Sequence, residues 1–183
     1  MNDLSKILKD ASKKLDKFPI DKQKEILALV EELSEIQGKE KARKEFLPFV
    51  KMMWPSFIHG RHHEIMAEAF ERVARGELKR LIINMPPRHT KSEFASYLFP
   101  AWFLGMYPEK KVIQTAHTAE LSVGFGRKVR NLIQNEDFQN VFPGIELSTD
   151  SKAAGRWNTN KRGDYFAIGV GVAVTGKGAD ILI

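Results

Sequence analysis

Cysteine is absent from this 183-residue chain, so neither a disulfide framework nor a zinc site built on thiolates is possible. Long apolar runs are also absent. A membrane-spanning helix needs roughly 20 consecutive apolar residues. The nearest approach, Phe94 to Tyr107, is interrupted by Ser96, Pro100 and Gly105. The first residues alternate charged with apolar side chains and lack the apolar block of a secretory signal, which makes the cytosol the default expectation. A large charge of one sign is missing as well: 29 Lys and Arg face 23 Asp and Glu, giving +6 and a pI near 9.5. A basic surplus favours polyanions such as nucleic acid, but one this small does not assign them. What is present, 43% hydrophobic and 28% charged residues, is the composition of a globular chain. Its length suits one large domain, or one domain with an appendage.

Composition changes along the chain. Residues 1–45 hold 11 Lys and Arg, 10 Asp and Glu, and Phe18 as their one aromatic residue. Leu4, Ile7, Leu8 and Leu15 fall at helical spacing, and Ile26, Leu29, Val30, Leu33 and Ile36 repeat the pattern after Pro19. Asp21 is a candidate cap for the second helix and Gly38 a candidate stop. This segment reads either as a solvated helical hairpin or as a docking arm. From Phe46 onward, residues 46–183 read as the core domain. A helix is expected over about 62–75, with Ile65, Met66, Ala69, Phe70 and Val73 on one face and Gly76 ending it. Arg80 to Met85, bounded by Pro86-Pro87, reads as a buried strand. A helix over about 92–106, a strand over 111–116 and a helix over about 119–134 follow. One or two strands are expected between Tyr165 and Val174, and an apolar strand begins at Asp180. Strand and helix alternation predicts an α/β domain with a mainly parallel sheet.

The segment Met85-Pro86-Pro87-Arg88-His89-Thr90-Lys91-Ser92 lies between an expected strand and an expected helix. Phosphate-binding loops occupy that context, because backbone N–H groups and a helix N-terminus converge on an anion. There Lys91 would meet the β and γ phosphates and the Ser92 hydroxyl would ligate Mg²⁺. The usual pattern is G-x-x-x-x-G-K-[ST]; here Lys-Ser is kept, but neither glycine is. The plain alternative is a strand-to-helix turn with Arg88 and Lys91 solvated.

Three separated stretches, MPPRHTKSE, FPAWFLGMYPEKKVIQTAHTAELSVGFGRKVR and GVGVAVTGKGADILI, together resemble the front half of the ATPase domain of tailed-phage terminase large subunits. The resemblance covers about residues 46–183. In one branch of that family the loop reads Pro-Pro-Arg-His-Gly-Lys-Ser, and this chain departs from it only at Thr90, whose Cβ stands where glycine would adopt positive φ freely. The resemblance implies a P-loop NTPase fold, a three-layer αβα sandwich, preceded here by the helical segment 1–45. It implies a bacteriophage motor that uses ATP and Mg²⁺ to drive double-stranded DNA into a procapsid in the host cytoplasm. The portal protein and the small terminase subunit are the implied partners, a homo-oligomer the implied assembly, and a C-terminal nuclease a further part of the family.

Residue by residue, the resemblance makes Pro87, Arg88, His89, Thr90, Lys91 and Ser92 the nucleotide loop, with Arg88 a candidate to reach the γ-phosphate in cis. Where many terminases carry an Arg-Gly pair serving a neighbouring subunit, this chain has Thr175-Gly176. Lys177 then becomes a candidate trans finger or simply a turn residue, with Arg127, Arg130 and Arg156 weaker candidates. Trp54-Pro55 and His62-His63 resemble the segment before the loop, where Trp54 either meets the adenine side or packs in the core. The family's acidic pair follows an apolar strand and is expected beyond Ile183, so the chain reads as the front part of a longer ATPase, inactive by itself, with Asp180 structural.

Other residues leave two readings. His59, His62 and His63 only approach metal-ligand spacing, and Gly60 interrupts them. His117, with Thr115 and Thr118, reads as a ligand-side group or as a helix cap. Arg127, Lys128 and Arg130, and then Lys152, Arg156, Lys161 and Arg162 around Trp157 in an expected loop, suit contact with a phosphate backbone or plain solvation. A non-catalytic nucleotide-binding, DNA-binding or assembly module, and a helicase-like translocase, stand as alternatives.

Overall fold

The computed structural model describes residues 18–171 and 176–183; the helix expected around Leu4 to Leu15 and the stretch 172–175 lie outside them. Residues up to Glu40 belong to one compact unit and Lys41–Ile183 to another.

Helix α1 spans Ile20–Lys44. It runs straight through Gly38, which therefore does not end it. A mid-helix glycine costs about 1 kcal/mol relative to alanine. Against that cost stand a Glu35–Lys39 ion pair at 2.6 Å, an acid in the first turn, and Lys41, Arg43 and Lys44 in the last, all favourable to the helix dipole.

Within Lys41–Ile183 the core is aromatic. Helix α2, Phe46–Met53, buries Phe46, Phe49 and Val50. The Phe46 ring meets Phe70 at 5.5 Å and Phe94 at 5.6 Å, both edge-on, the geometry preferred by ring quadrupoles. Helix α3, Arg61–Ala74, buries His63, Met66, Ala67 and Phe70. The inner face is thus rotated from the expected one: Ile65 is 62% exposed and His63 takes an inner position. Gly76, at φ 74°, ends the helix as expected.

Residues 80–86 form no strand. Leu81, Ile83 and Met85 pack against the core while Ile82 is 85% exposed. That alternation is a strand's, but no ladder pairs it with any described strand, so the segment stays extended outside the sheet. The expected helix over 92–106 is present with an irregular start. Glu93–Leu98 is a π-helical turn that leads into α4, Phe99–Met106. Pro100 explains the irregularity, since it has no N–H to donate and its ring crowds the preceding turn. The Phe99 N–H accordingly bonds the Phe94 carbonyl, five residues back.

The sheet is mixed. Strand β1 is Lys111–Ala116, followed by α5, Ala119–Ile133, and a short α6, Glu136–Val141. Strands β2 (Leu147–Ala153), β3 (Arg156–Thr159), β4 (Asp164–Gly169) and β5 (Ile181–Leu182) complete the order β2-β3-β4-β1-β5. The triplet β4-β1-β5 is parallel; β2 with β3 and β3 with β4 are antiparallel. This corrects the expectation of a mainly parallel sheet. The physical reason is connection length: Ala154-Gly155 joins β2 to β3 and residues 160–163 join β3 to β4, and links that short allow only antiparallel neighbours. Trp157, expected in a basic loop, is therefore a core residue. It is fully buried, stacks on Tyr165 at 4.7 Å and donates from Nε1 to the Gly126 carbonyl. Among the described residues no helix is long and apolar enough to cross a membrane.

Candidate functional site

Residues Met85 to Glu93 line one open concavity of about 530 Å³. It begins where the extended segment meets the helical run that starts at Lys91. Two residues in it take left-handed backbone, Arg88 at φ 65° and Thr90 at φ 61°, with His89 between them on the ordinary side. Alternation of this kind is the backbone pattern of an anion-binding nest. For residues with a Cβ it costs roughly 1–2 kcal/mol at each position, and such cost concentrates at functional sites.

Side chains fasten this loop from within and from α3. His89 donates from Nδ1 to the Pro87 carbonyl at 2.9 Å. The Thr90 hydroxyl donates to the His89 carbonyl at 2.6 Å, and the Thr90 carbonyl accepts the Phe94 N–H at 3.0 Å, opening the helical run. His63 Nε2 lies 2.7 Å from the Thr90 hydroxyl oxygen. The other nitrogen of that ring, Nδ1, accepts the Gly60 N–H at 3.0 Å. His63 is the third residue of α3, so its ring reaches back over the helix start as the third residue of a capping box does. Burial, followed by the neighbouring His62 and His59, pushes its pKa down to about 4.

The charges around the concavity are unequal. Arg88 and Lys91 make no ion pair with any described residue. The one acid that lines it, Glu93, is held by Lys128 at 2.8 Å. The Ser92 hydroxyl makes no capping bond and the residue is exposed. Arginine, lysine and backbone donors with no free carboxylate fit a phosphate chain. For Mg²⁺ the described loop offers one protein ligand, Ser92.

The remaining sequence candidates lie elsewhere. Trp54 does not line the concavity; it donates to the Ser56 hydroxyl at 3.0 Å and packs on Phe57 at 5.5 Å. Phe57 in turn meets His63 at 4.6 Å and Phe94 at 5.5 Å. Lys177 lies over the Phe166 ring at 3.5 Å, with Arg156 at 5.9 Å from the same ring. Thr118 caps α5 by accepting the Leu121 N–H at 3.2 Å, and His117 is exposed. Asp180 accepts from Lys110 Nζ at 3.0 Å and from the Lys111 N–H at 2.8 Å, a structural tie at the start of β5. Arg127, Lys161 and Arg162 are exposed. Arg130 donates to Asn131. No group of three His, Asp or Glu able to hold a metal ion occurs among the described residues. A second concavity, of about 570 Å³, includes Glu93, Leu121, Phe125 and Lys128.

The chain matches no family model, no curated protein and no solved structure. The functional reading therefore rests on the loop's own residues and geometry, with the sequence resemblance beside them. His63 figures in the sequence as part of the His62-His63 pair and as a metal-ligand candidate, and its contact with Thr90 was missed. Its signal was its place as the third residue after Gly60, in step with Met66 and Phe70.

Proposed function

We propose that residues 86–92 form the phosphate-binding loop of an ATP-driven motor that moves double-stranded DNA, of the terminase large-subunit type, on a P-loop αβα core. The observation that carries this reading is the loop itself. Left-handed Arg88 and Thr90 bracket a concavity at the start of a helical run, and Arg88 and Lys91 stand there without acidic partners. The parallel triplet β4-β1-β5, with α5 connecting β1 onward, supports the core fold.

In this reading the backbone N–H groups after Pro87 orient the phosphate chain, and Lys91 neutralises charge that develops on the terminal phosphate. Arg88 reaches the same phosphate from within the chain. The Ser92 hydroxyl is the ligand for Mg²⁺, which when bound shields the phosphate oxygens from one another. Trp54 on the adenine side and Lys177 as a finger toward a neighbouring subunit belong to the same proposal. So do the portal protein, the small subunit, a homo-oligomeric assembly, a nuclease and the host cytoplasm. Exposed Arg127, Lys161 and Arg162 suit the DNA backbone.

One observation favours a second reading, a nucleotide-binding module without turnover: the acid that lines the concavity, Glu93, is engaged by Lys128 and not free to orient water. Titration with a fluorescent ATP analogue and Mg²⁺, with and without linear duplex DNA, tests the shared part. The chain should bind saturably, Lys91→Ala should weaken binding at least about tenfold, and DNA affinity should fall steeply with salt. Equal binding by the parent and Lys91→Ala would remove the loop from the account. Phosphate release in the same samples adds a one-way test: turnover that is lost on Lys91→Ala supports the motor and overturns the module.

A further inference from the structure

His63 lies outside the loop in sequence and inside it in space. Only 3% of its surface is exposed, and its ring is wedged against Phe57 at 4.6 Å and Phe94 at 4.9 Å. The two ring nitrogens have assigned tasks. Nδ1 accepts the Gly60 N–H, so the proton of the neutral ring resides on Nε2. That proton points at the Thr90 hydroxyl oxygen, 2.7 Å away. The hydroxyl accepts from His63 and turns its own proton to the His89 carbonyl. A relay of three hydrogen bonds thus runs from the start of α3 to the peptide between His89 and Thr90.

Thr90 needs such a restraint. A β-branched residue at φ 61° sits in a conformation that L side chains rarely take, and without a tie the backbone would relax to negative φ. The relay fixes the hydroxyl on one side and the preceding carbonyl on the other. We propose that His63 is the positioning residue of the loop, its Nε2–H holding Thr90 in the left-handed conformation on which the phosphate cradle depends. The pair does jointly what a glycine at position 90 would do alone. The inference rests on reading the loop as a phosphate cradle. The ring stays neutral under ordinary conditions, because burial and the flanking His62 and His59 hold its pKa down to about 4, so the tautomer that makes the contact persists.

The test is a double-mutant cycle in the 183-residue chain: His63→Phe, Thr90→Gly and the two together. Phenylalanine keeps the ring contacts with Phe57 and Phe94 but has no donor. With a fluorescent ATP analogue and Mg²⁺, His63→Phe should weaken binding about tenfold when Thr90 is present. Thr90→Gly should bind at least as well as the parent. Adding His63→Phe to Thr90→Gly should change affinity by less than about twofold. His63→Gln, whose amide can donate to the same oxygen, should recover part of the loss. An equal loss in both backgrounds, or no loss with Thr90 present, overturns the proposal. A ligand-free readout separates its failure from that of the nucleotide reading. At positive φ, Thr90 gives a strong NOE between its own amide and α protons, which His63→Phe should weaken. If no variant binds the analogue, the phosphate reading has failed, yet loss of that NOE still upholds His63 as the residue that sets Thr90; an NOE unchanged by His63→Phe overturns the proposal.

Discussion

Thr90 combines two opposing contributions in one residue. Its left-handed backbone costs roughly 1–2 kcal/mol, and its hydroxyl recovers on the order of 1 kcal/mol through the bonds to His63 and His89. Two substitutions separate them. Thr90→Gly removes the strain and the hydroxyl together and leaves room for water to accept the His63 Nε2–H, so its unfolding free energy in urea should lie within about 1 kcal/mol of the parent. Thr90→Val keeps a branched Cβ at φ 61° and loses the hydroxyl, leaving His63 Nε2–H buried without an acceptor, and should cost about 1–3 kcal/mol. Equal losses for the two would show that the left-handed conformation costs Thr90 nothing, and no loss for Thr90→Val would show that the hydrogen bond contributes nothing. The Lys-Ser pair after an extended run made the loop legible in the sequence. The His63 contact was not legible, because it joins residues 27 positions apart and no local spacing encodes that distance.

Elements were readable where their own residues decide them. Lys111–Ala116 carries the β-branched Val112, Ile113 and Thr115 and became β1 with the expected bounds. Leu147–Ala153 is mostly Ser, Thr, Asp and Lys, and became a strand only because the Ala154-Gly155 turn folds it onto β3. For 80–86 the alternation was visible, but ladder membership is a property of a neighbour as well as of the segment. Strand β5 depends on a similar neighbour contact, since it pairs with β1 at Ile181 and Leu182 and through the Ile183 backbone, and Asp180 fastens the entry. Partial burial opposes the Asp180 charge, but the Lys111 N–H and the Lys110 ammonium outweigh it and hold the carboxyl below its usual range. A carboxylate depressed in the folded state contributes stability above its unfolded pKa and loses it as pH falls through the folded value. Asp180→Asn, which keeps an acceptor and removes the charge, should therefore cost about 0.5 kcal/mol at pH 7, small because the side chain is partly exposed. That gap should close in acid, as pH falls through the depressed folded-state value. Urea unfolding at pH 7 and in acid checks this, and a gap that persists in acid would place the effect in the hydrogen bond and not the charge.

Within Lys41–Ile183, the aromatic core and the loop are one construction. Phe94, two residues past Ser92, sets its ring against Phe46, Phe57 and His63, so the helical run that the loop opens is anchored in the aromatic core. A rigid support of this kind is what a preorganised anion cradle requires. Under the proposed function the amides of this loop hold the phosphates of a nucleotide. Amide ¹H–¹⁵N spectra of the whole chain, titrated with Mg-ATP and in parallel with adenosine, test it most directly. The prediction is that the amides of residues 88–92 move with Mg-ATP and stay still with adenosine. Shifts confined to the concavity around Leu121, Phe125 and Lys128, or equal shifts with adenosine, would contradict it.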